Sequence, residues 1–277
     1  MPIAQKWPDC CPQLKNYVNG FVKLFDTQLG RQLLGVYLHG SLAMGCWYFP
    51  KSDLDLLIVT GGDVPSDTLE SLGIQIARYS EKYPGTGGVE LSVVTEDALS
   101  SLDLQIPYQL HYSPMWHEKL LAGQVDFCKP KRDPDLPAHF AVVRQRGVCL
   151  YGREISKLFP LVDWQRFRQS VLLDIQDLFE EENLLHAPYY GVLNFCRALQ
   201  LFSSPVCACT SKEEGALWAL EHLPEPFLPL VRQALDVYRS EAPVTSATLK
   251  TGGVRWDKEQ LMGLRDYVLS QLPSLAR

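Results

Sequence analysis

The chain has 277 residues, 46% of them hydrophobic, which suffices for one large or two modest domains with real cores. Its formal charge of -6 argues against bulk electrostatic attraction to nucleic acid. It contains no apolar run of about eighteen residues, which excludes a membrane-spanning helix, and Met1 to Pro8 lacks the apolar core of a signal peptide. A cytoplasmic monomer with its eight cysteines reduced is therefore expected. Cys207-Ala-Cys209 and Cys10-Cys11 lack zinc-site spacing, so no metal is assigned to sulfur.

In chain order, Leu14, Tyr17, Val18, Phe21, Phe25 and Leu29 recur at helical spacing and predict a long amphipathic helix from Pro12 to Gln32. Two short aliphatic runs, Leu33–Leu38 and Leu56–Val59, read as neighbouring buried strands. Gly61-Gly62 marks a turn, and Ser66 is placed to cap a second helix running to Tyr79. Pro84 to Gly88 then breaks the chain before a strand that opens on Glu90. Residues 101–152 are less regular, with Pro107, Pro114, Pro134 and Pro137 among aromatic and charged residues. Asp135 to Gly147 reads as a helix closed by glycine, followed by a short strand from Val148. Gly152 and Pro160 mark a domain boundary, which divides the chain into residues 1–160 and 161–277. Beyond it, five apolar patterns predict helices: Phe167 to Phe179, Val192 to Leu201, Ala216 to Leu220, Leu228 to Tyr238, and Asp257 to Leu272.

The chemistry lies between the first two strands. Asp53 and Asp55 are two residues apart on an extended segment, and side chains at that spacing point to one side of a pleat. Two carboxylates held side by side repel, and a divalent cation satisfies them; magnesium fits because it takes few carboxylates and completes its shell with water and phosphates. Gly40 lets backbone approach a phosphate, and Ser41 offers an N–H and a hydroxyl to its oxygens. Glu90, which opens the run Leu91–Val94, reads by itself as an edge-strand glutamate facing water. His111, Tyr112 and Trp116 form either an acceptor-binding wall or plain packing.

Gly40-Ser41 followed by Ser52-Asp53-Leu-Asp55-Leu resembles the signature of the DNA polymerase β-like nucleotidyltransferase superfamily. The second half resembles the helical domain of the spectinomycin/streptomycin adenylyltransferases. Leu193-Asn-Phe-Cys-Arg197, Ser211-Lys212-Glu-Glu-Gly-Ala-Leu-Trp218-Ala, Leu223-Pro and Ala234-Leu-Asp-Val-Tyr238 follow that family's order. The resemblance spans residues 30 to 240 and implies an α+β fold: a polymerase β-like domain with a mixed sheet, then a helical bundle. It implies that Gly40, Ser41 and Ser52 bind the nucleotide, that Asp53 and Asp55 hold magnesium, and that Glu90 is the general base. Arg197 and Lys212 would reach the triphosphate, where the bland alternative is a surface salt bridge. Trp116 would stack on the acceptor beside Glu90. The implied reaction is transfer of AMP from ATP to a hydroxyl of an aminoglycoside-like molecule, with Mg2+, two ions, as cofactor. A protein acceptor, or a nucleotide-binding regulator without catalysis, are the alternatives. One departure stands out: the family's acidic residue ten positions before its arginine is Ala187 here, with Glu180, Glu181 and Glu182 as nearby substitutes or merely a solvated face.

Overall fold

The structure, a computed structural model, describes residues 3–129, 131–204 and 206–272. Helix α1 (Pro12–Leu29) leads into strand β1 (Leu33–His39), which runs directly into the short helix α2 (Gly40–Met44). Then come β2 (Leu54–Thr60), α3 (Ser66–Ser80), β3 (Val89–Thr95), α4 (Glu96–Leu99), β4 (Ile106–Tyr108), β5 (Leu110–Tyr112), α5 (His117–Leu121) and β6 (Lys131–Asp133). Helix α6 (Leu136–Arg146), β7 (Val148–Gly152) and α7 (Ile155–Leu158) follow. The remainder is helical: α8 (Trp164–Gln176), α9 (Glu181–His186), α10 (Pro188–Ser203), α11 (Lys212–His222), α12 (Leu228–Arg239) and α13 (Lys258–Gln271). The architecture is α+β, as expected, with the helices gathered after the sheet.

Five strands form one mixed sheet in the order β5-β3-β2-β1-β7, in which β2 and β3 are parallel and the other neighbours antiparallel. Both faces are covered, which is why the strands read as continuous apolar runs rather than alternating ones. One face, with Val36, Leu38, Leu56, Ile58, Leu91 and Val93, packs on Phe21 and Phe25 of α1 and on α3. The opposite face, with Tyr37, Leu57, Val59 and Val94, packs on Leu136, Phe140 and Val143 of α6. The side-chain period of two places His39, Asp55 and Glu90 on this second face, at its end.

The helices after residue 160 build a separate core around Ile175, Val192, Phe195, Leu199, Val231, Ala234, Leu261 and Leu264. Cys46, Tyr48 and Ala141 from the first half are embedded in it. Three local expectations are corrected. Asp53 precedes β2 rather than lying on it, because the ladder begins where the Leu54 N–H donates to the Gly88 carbonyl at 3.0 Å. Ser66 does not cap α3: Pro65 holds the cap position, with no side-chain bond. The helix expected to reach Phe179 ends at Gln176 and tightens into a 3-10 turn over Asp177–Phe179. The two-stranded sheet β4-β6 and the short α9 carry no clear periodicity and were not anticipated.

Candidate active site

The parallel register of β2 and β3 sets Asp55 directly opposite Glu90, and Asp53 lies two residues upstream. One oxygen from each of the three carboxylates lies within 4.8 Å of the others. Like charges this close raise one another's pKa, and burial adds to the effect. Asp55 is pushed well above the usual carboxylate range, first by burial and then by Asp53 and Glu90; Lys212 and the Ser41 N–H, which donates to it, oppose the rise. Glu90 is pushed up to about 8, again first by burial, then by Asp53, Asp133, Asp174 and Asp135. Such a trio is short of positive charge, and the donor set, all hard oxygens, suits magnesium.

The turn between β1 and α2 completes the cradle. Gly40 adopts φ +62°, a left-handed conformation that favours glycine, and a Cβ there would overlap the Asp55 carboxylate. The Ser41 hydroxyl is buried and has no hydrogen-bond partner among the described residues. A buried hydroxyl left unbonded costs free energy, and here a ligand oxygen would relieve it. Ser52 is also buried, but its hydroxyl accepts the Tyr48 N–H at 2.9 Å, so it braces the loop that delivers Asp53.

Two predictions follow from this geometry. Gly40→Ala should store about 1–2 kcal/mol of backbone strain and displace Asp55; the expected result is a lowered Tm and loss of the Mg2+-induced Tm rise, read by thermal shift. The second concerns pH. A carboxyl whose folded pKa lies above its unfolded value stabilises the fold below the unfolded pKa and loses that contribution as pH rises through the folded one. For Glu90 the window runs from its ordinary 4.5 to about 8. Metal-free protein should therefore lose Tm across this window relative to Glu90→Gln, and added Mg2+ should raise Tm more at pH 8.5 than at pH 6. A Mg2+ shift independent of pH would contradict it.

The helical half brings cations to the same place. Lys212 is the first residue of α11, capped by Ser211 in a reciprocal capping box with Glu214. Its ammonium lies over the Tyr190 ring at 4.7 Å, and its charge opposes the rise at Asp55. Arg197 of α10 pairs with Asp174 of α8 at 3.4 Å. Gly215 lets α11 close on α10, since a Cβ there would sit 2.7 Å from the Arg197 Cα. The spacing between Tyr190 and Arg197 puts both on one stripe of α10, and the Asp174 charge, then burial, hold the Tyr190 hydroxyl well above its ordinary pKa, with smaller contributions from Glu90 and Asp53. Tyr190 was not anticipated from the sequence.

Nor were Asp133, Asp135 and Asp174, which give Glu90 its acidic surroundings. They meet because α8 is pinned to the start of α6. The Ser170 hydroxyl donates to the Pro134 carbonyl at 2.6 Å and accepts the Ala138 N–H at 3.3 Å, one turn before Asp174. Burial, then Asp174 and Asp133, push Asp135 up to about 7. The His39 and His139 rings lie 5.0 Å apart, and burial holds both histidines below their ordinary pKa.

The aromatic wall is only partly realised. His111 bonds Ser92 at 3.0 Å, which places it on the Glu90 face, and Trp116 meets His111 edge-on at 6.5 Å with the Lys119 and Lys131 ammonium groups near its ring. Tyr112 is not part of it: the strand alternation turns it into the α1/α3 core, where its hydroxyl bonds His117. Ala187 is buried at the start of α10, whereas Glu180, Glu181 and Glu182 are exposed and Glu181 pairs with Lys258. These glutamates form a solvated face.

Comparison with known proteins bears on this arrangement. Residues 157–256 match the family described as "Aminoglycoside adenylyltransferase, C-terminal domain". The chain is 24% identical over 271 residues to spectinomycin 9-adenylyltransferase of Campylobacter jejuni, covering 94% of this chain and 96% of that protein. The proteins it is similar to are named as adenylyltransferases. It is 26% identical over 241 residues to aminoglycoside (3'') (9) adenylyltransferase of Shigella flexneri, covering 82% of this chain and 86% of that protein. The crystal structure of spectinomycin adenyltransferase AAD(9) from Enterococcus faecialis with ATP and spectinomycin shares the fold. Its TM-score is 0.76 at 17% identity, over 94% of this chain and 99% of that one. The expected α+β fold with a helical second half is borne out. No helix among the described residues is long and apolar enough to cross a membrane.

Proposed function

We propose that this protein transfers AMP from ATP to a hydroxyl of a cationic, aminoglycoside-like small molecule and releases pyrophosphate, with magnesium as cofactor. The observation that carries the reading is the convergence of Asp53, Asp55 and Glu90 within 4.8 Å, with Lys212 close enough to counter the rise in the Asp55 pKa. The names of the relatives supply the acceptor class. Residues 1–160 form the nucleotidyltransferase domain in this reading and 161–277 the helical one, with the nucleotide between them.

Asp53 and Asp55 would hold the metal, which when bound supplies charge neutralisation of phosphate oxygens. The Gly40-Ser41 turn receives a phosphate through the unpartnered Ser41 hydroxyl. Glu90 accepts the proton of the acceptor hydroxyl as its oxygen forms the new bond to the α-phosphorus and the bond to the β-phosphate oxygen breaks. Lys212 and Arg197 stabilise the charge that collects on the departing pyrophosphate. Glu90, Asp135 and Asp174 make the acceptor side acidic, which suits ammonium groups on the incoming molecule. Trp116 offers it a flat apolar surface.

The test is a pyrophosphate-release assay with ATP, Mg2+ and each of spectinomycin and streptomycin. Spectinomycin should be the better acceptor. A buried charge-assisted hydrogen bond is worth about 1.5–3 kcal/mol, Ala187 cannot make one, and streptomycin presents more donors that need a carboxylate. Equal or faster turnover of streptomycin would defeat the acceptor preference and leave the transferase assignment standing. No pyrophosphate release with any hydroxyl-bearing aminoglycoside would defeat the assignment.

A further inference from the structure

The loop between α2 and β2, residues 45–53, carries Ser52 and Asp53, yet much of what holds it comes from the helical half. The Tyr238 hydroxyl donates to the Cys46 carbonyl at 2.6 Å, and its ring meets Tyr48 edge-on at 5.3 Å. Lys51 is 5% exposed, and its ammonium donates to the Ser240 carbonyl and to the Ser240 hydroxyl, the latter at 2.9 Å. A cation at the C-terminal end of a helix is favourably placed against the helix dipole. Tyr238, Arg239 and Ser240 are consecutive, so one end of α12 grips the metal-bearing loop.

The same end of α12 also grips the phosphate-facing end of α11, through Glu213. The Glu213 carboxylate accepts Arg239 Nε at 2.7 Å and also Arg239 Nη2, and it accepts the Tyr48 hydroxyl at 3.0 Å. Only 14% of its side chain is exposed. Glu213 follows Lys212 directly at the start of α11, so one peptide unit separates the residue facing Asp55 from the residue tied to the loop that ends in Asp53. A surface ion pair is worth little, but this carboxylate is mostly buried and takes donors from both halves of the chain. Removing it leaves a guanidinium and a hydroxyl without their partner.

We infer that Glu213 is a positioning residue: by tying Tyr48 to Arg239 it fixes the distance between Lys212 and the Asp53 loop, and so tunes ATP binding without touching ATP. The inference rests on the functional reading above. It assigns Glu213, Tyr48 and Arg239 a joint role, so their effects should be coupled rather than additive.

The experiment is calorimetric titration of the full-length protein with ATP and Mg2+, in wild type, Glu213→Gln, Tyr48→Phe and the double variant, with Tm recorded for each. Glu213→Gln should weaken ATP binding about tenfold, the size of a lost charged hydrogen bond, while the KM for spectinomycin stays unchanged. Tyr48→Phe removes one hydroxyl, keeps the ring packed on Tyr238, and should weaken ATP binding less. The double variant should bind no more weakly than Glu213→Gln alone. If Glu213→Gln does not fold, Tyr48→Phe and its ATP affinity decide. Unchanged ATP affinity in the folded variants, including the case in which only Tm falls, overturns the inference and leaves the functional reading intact. A wild-type protein that binds no ATP overturns both.

Discussion

Asp55→Asn is expected to abolish AMP transfer and the Mg2+-induced rise in Tm, while the metal-free protein keeps or gains Tm. Asp55 stands in a crowded trio, its pKa raised by burial and by the charges of Asp53 and Glu90. Exchanging its carboxylate for an amide removes repulsion that the fold must otherwise bear. Shape is preserved: the amide oxygen still accepts the Ser41 N–H, and Gly40 still leaves room beside it. What is lost is the second anionic oxygen ligand that a hard divalent cation requires. Asp53→Asn is expected to abolish transfer for the same reason. Turnover and thermal shift, measured with and without Mg2+, check both variants. Wild-type turnover in either would end the metal proposal, and a lost fold in metal-free Asp55→Asn would mean that the carboxylate is structural.

Glu90→Gln should lower turnover by about 10²–10⁴-fold, the range for a positioned acid–base group, while ATP still binds in the presence of Mg2+. The geometry leaves Glu90 two roles, because it belongs to the carboxylate trio and also faces the acidic side formed by Asp133, Asp135 and Asp174. In the metal-free site burial and its acidic neighbours push its pKa up to about 8, which strengthens it as a base once its proton has left. The metal-ligand role and the base role separate by measurement. Calorimetry on Glu90→Gln that shows ATP binding reduced as much as turnover identifies a metal ligand. Intact binding with lost turnover identifies the base, and the rise of rate with pH in the wild type should then be absent from the variant.

Much of this site is legible in the amino-acid sequence. The strands at Leu33 and Leu56 are short aliphatic runs that no helix pattern fits, and the Gly-Ser and Asp-x-Asp pairs lie at their ends. Once those strands are neighbours, Gly40 and Asp55 must approach each other. Glu90 was legible through the resemblance, which implies a third carboxylate on a nearby strand, and a Val-rich run that opens on a glutamate fits it. Asp135 and Asp174 were not legible: they are 39 positions apart by number, one just before α6 and the other on α8, and meet only because Ser170 bridges the start of α6 to α8. Whether Tyr112 joined the wall or packed in the core stayed open, because its strand is three residues long, too short for alternation to show.

The sequence by itself determined the local chemistry: the main strands and helices, where a glycine must stand, and which two aspartates lie beside the second strand. Those properties depend on residues a few positions apart, and hydrophobic period and side-chain direction report them directly. Tertiary structure alone decided the rest. Lys212 faces Asp55, Asp174 holds Arg197, and Glu213 joins Tyr48 to Arg239. Each is a contact between elements far apart along the chain, and it exists because packed faces, rather than spacing, set their distance.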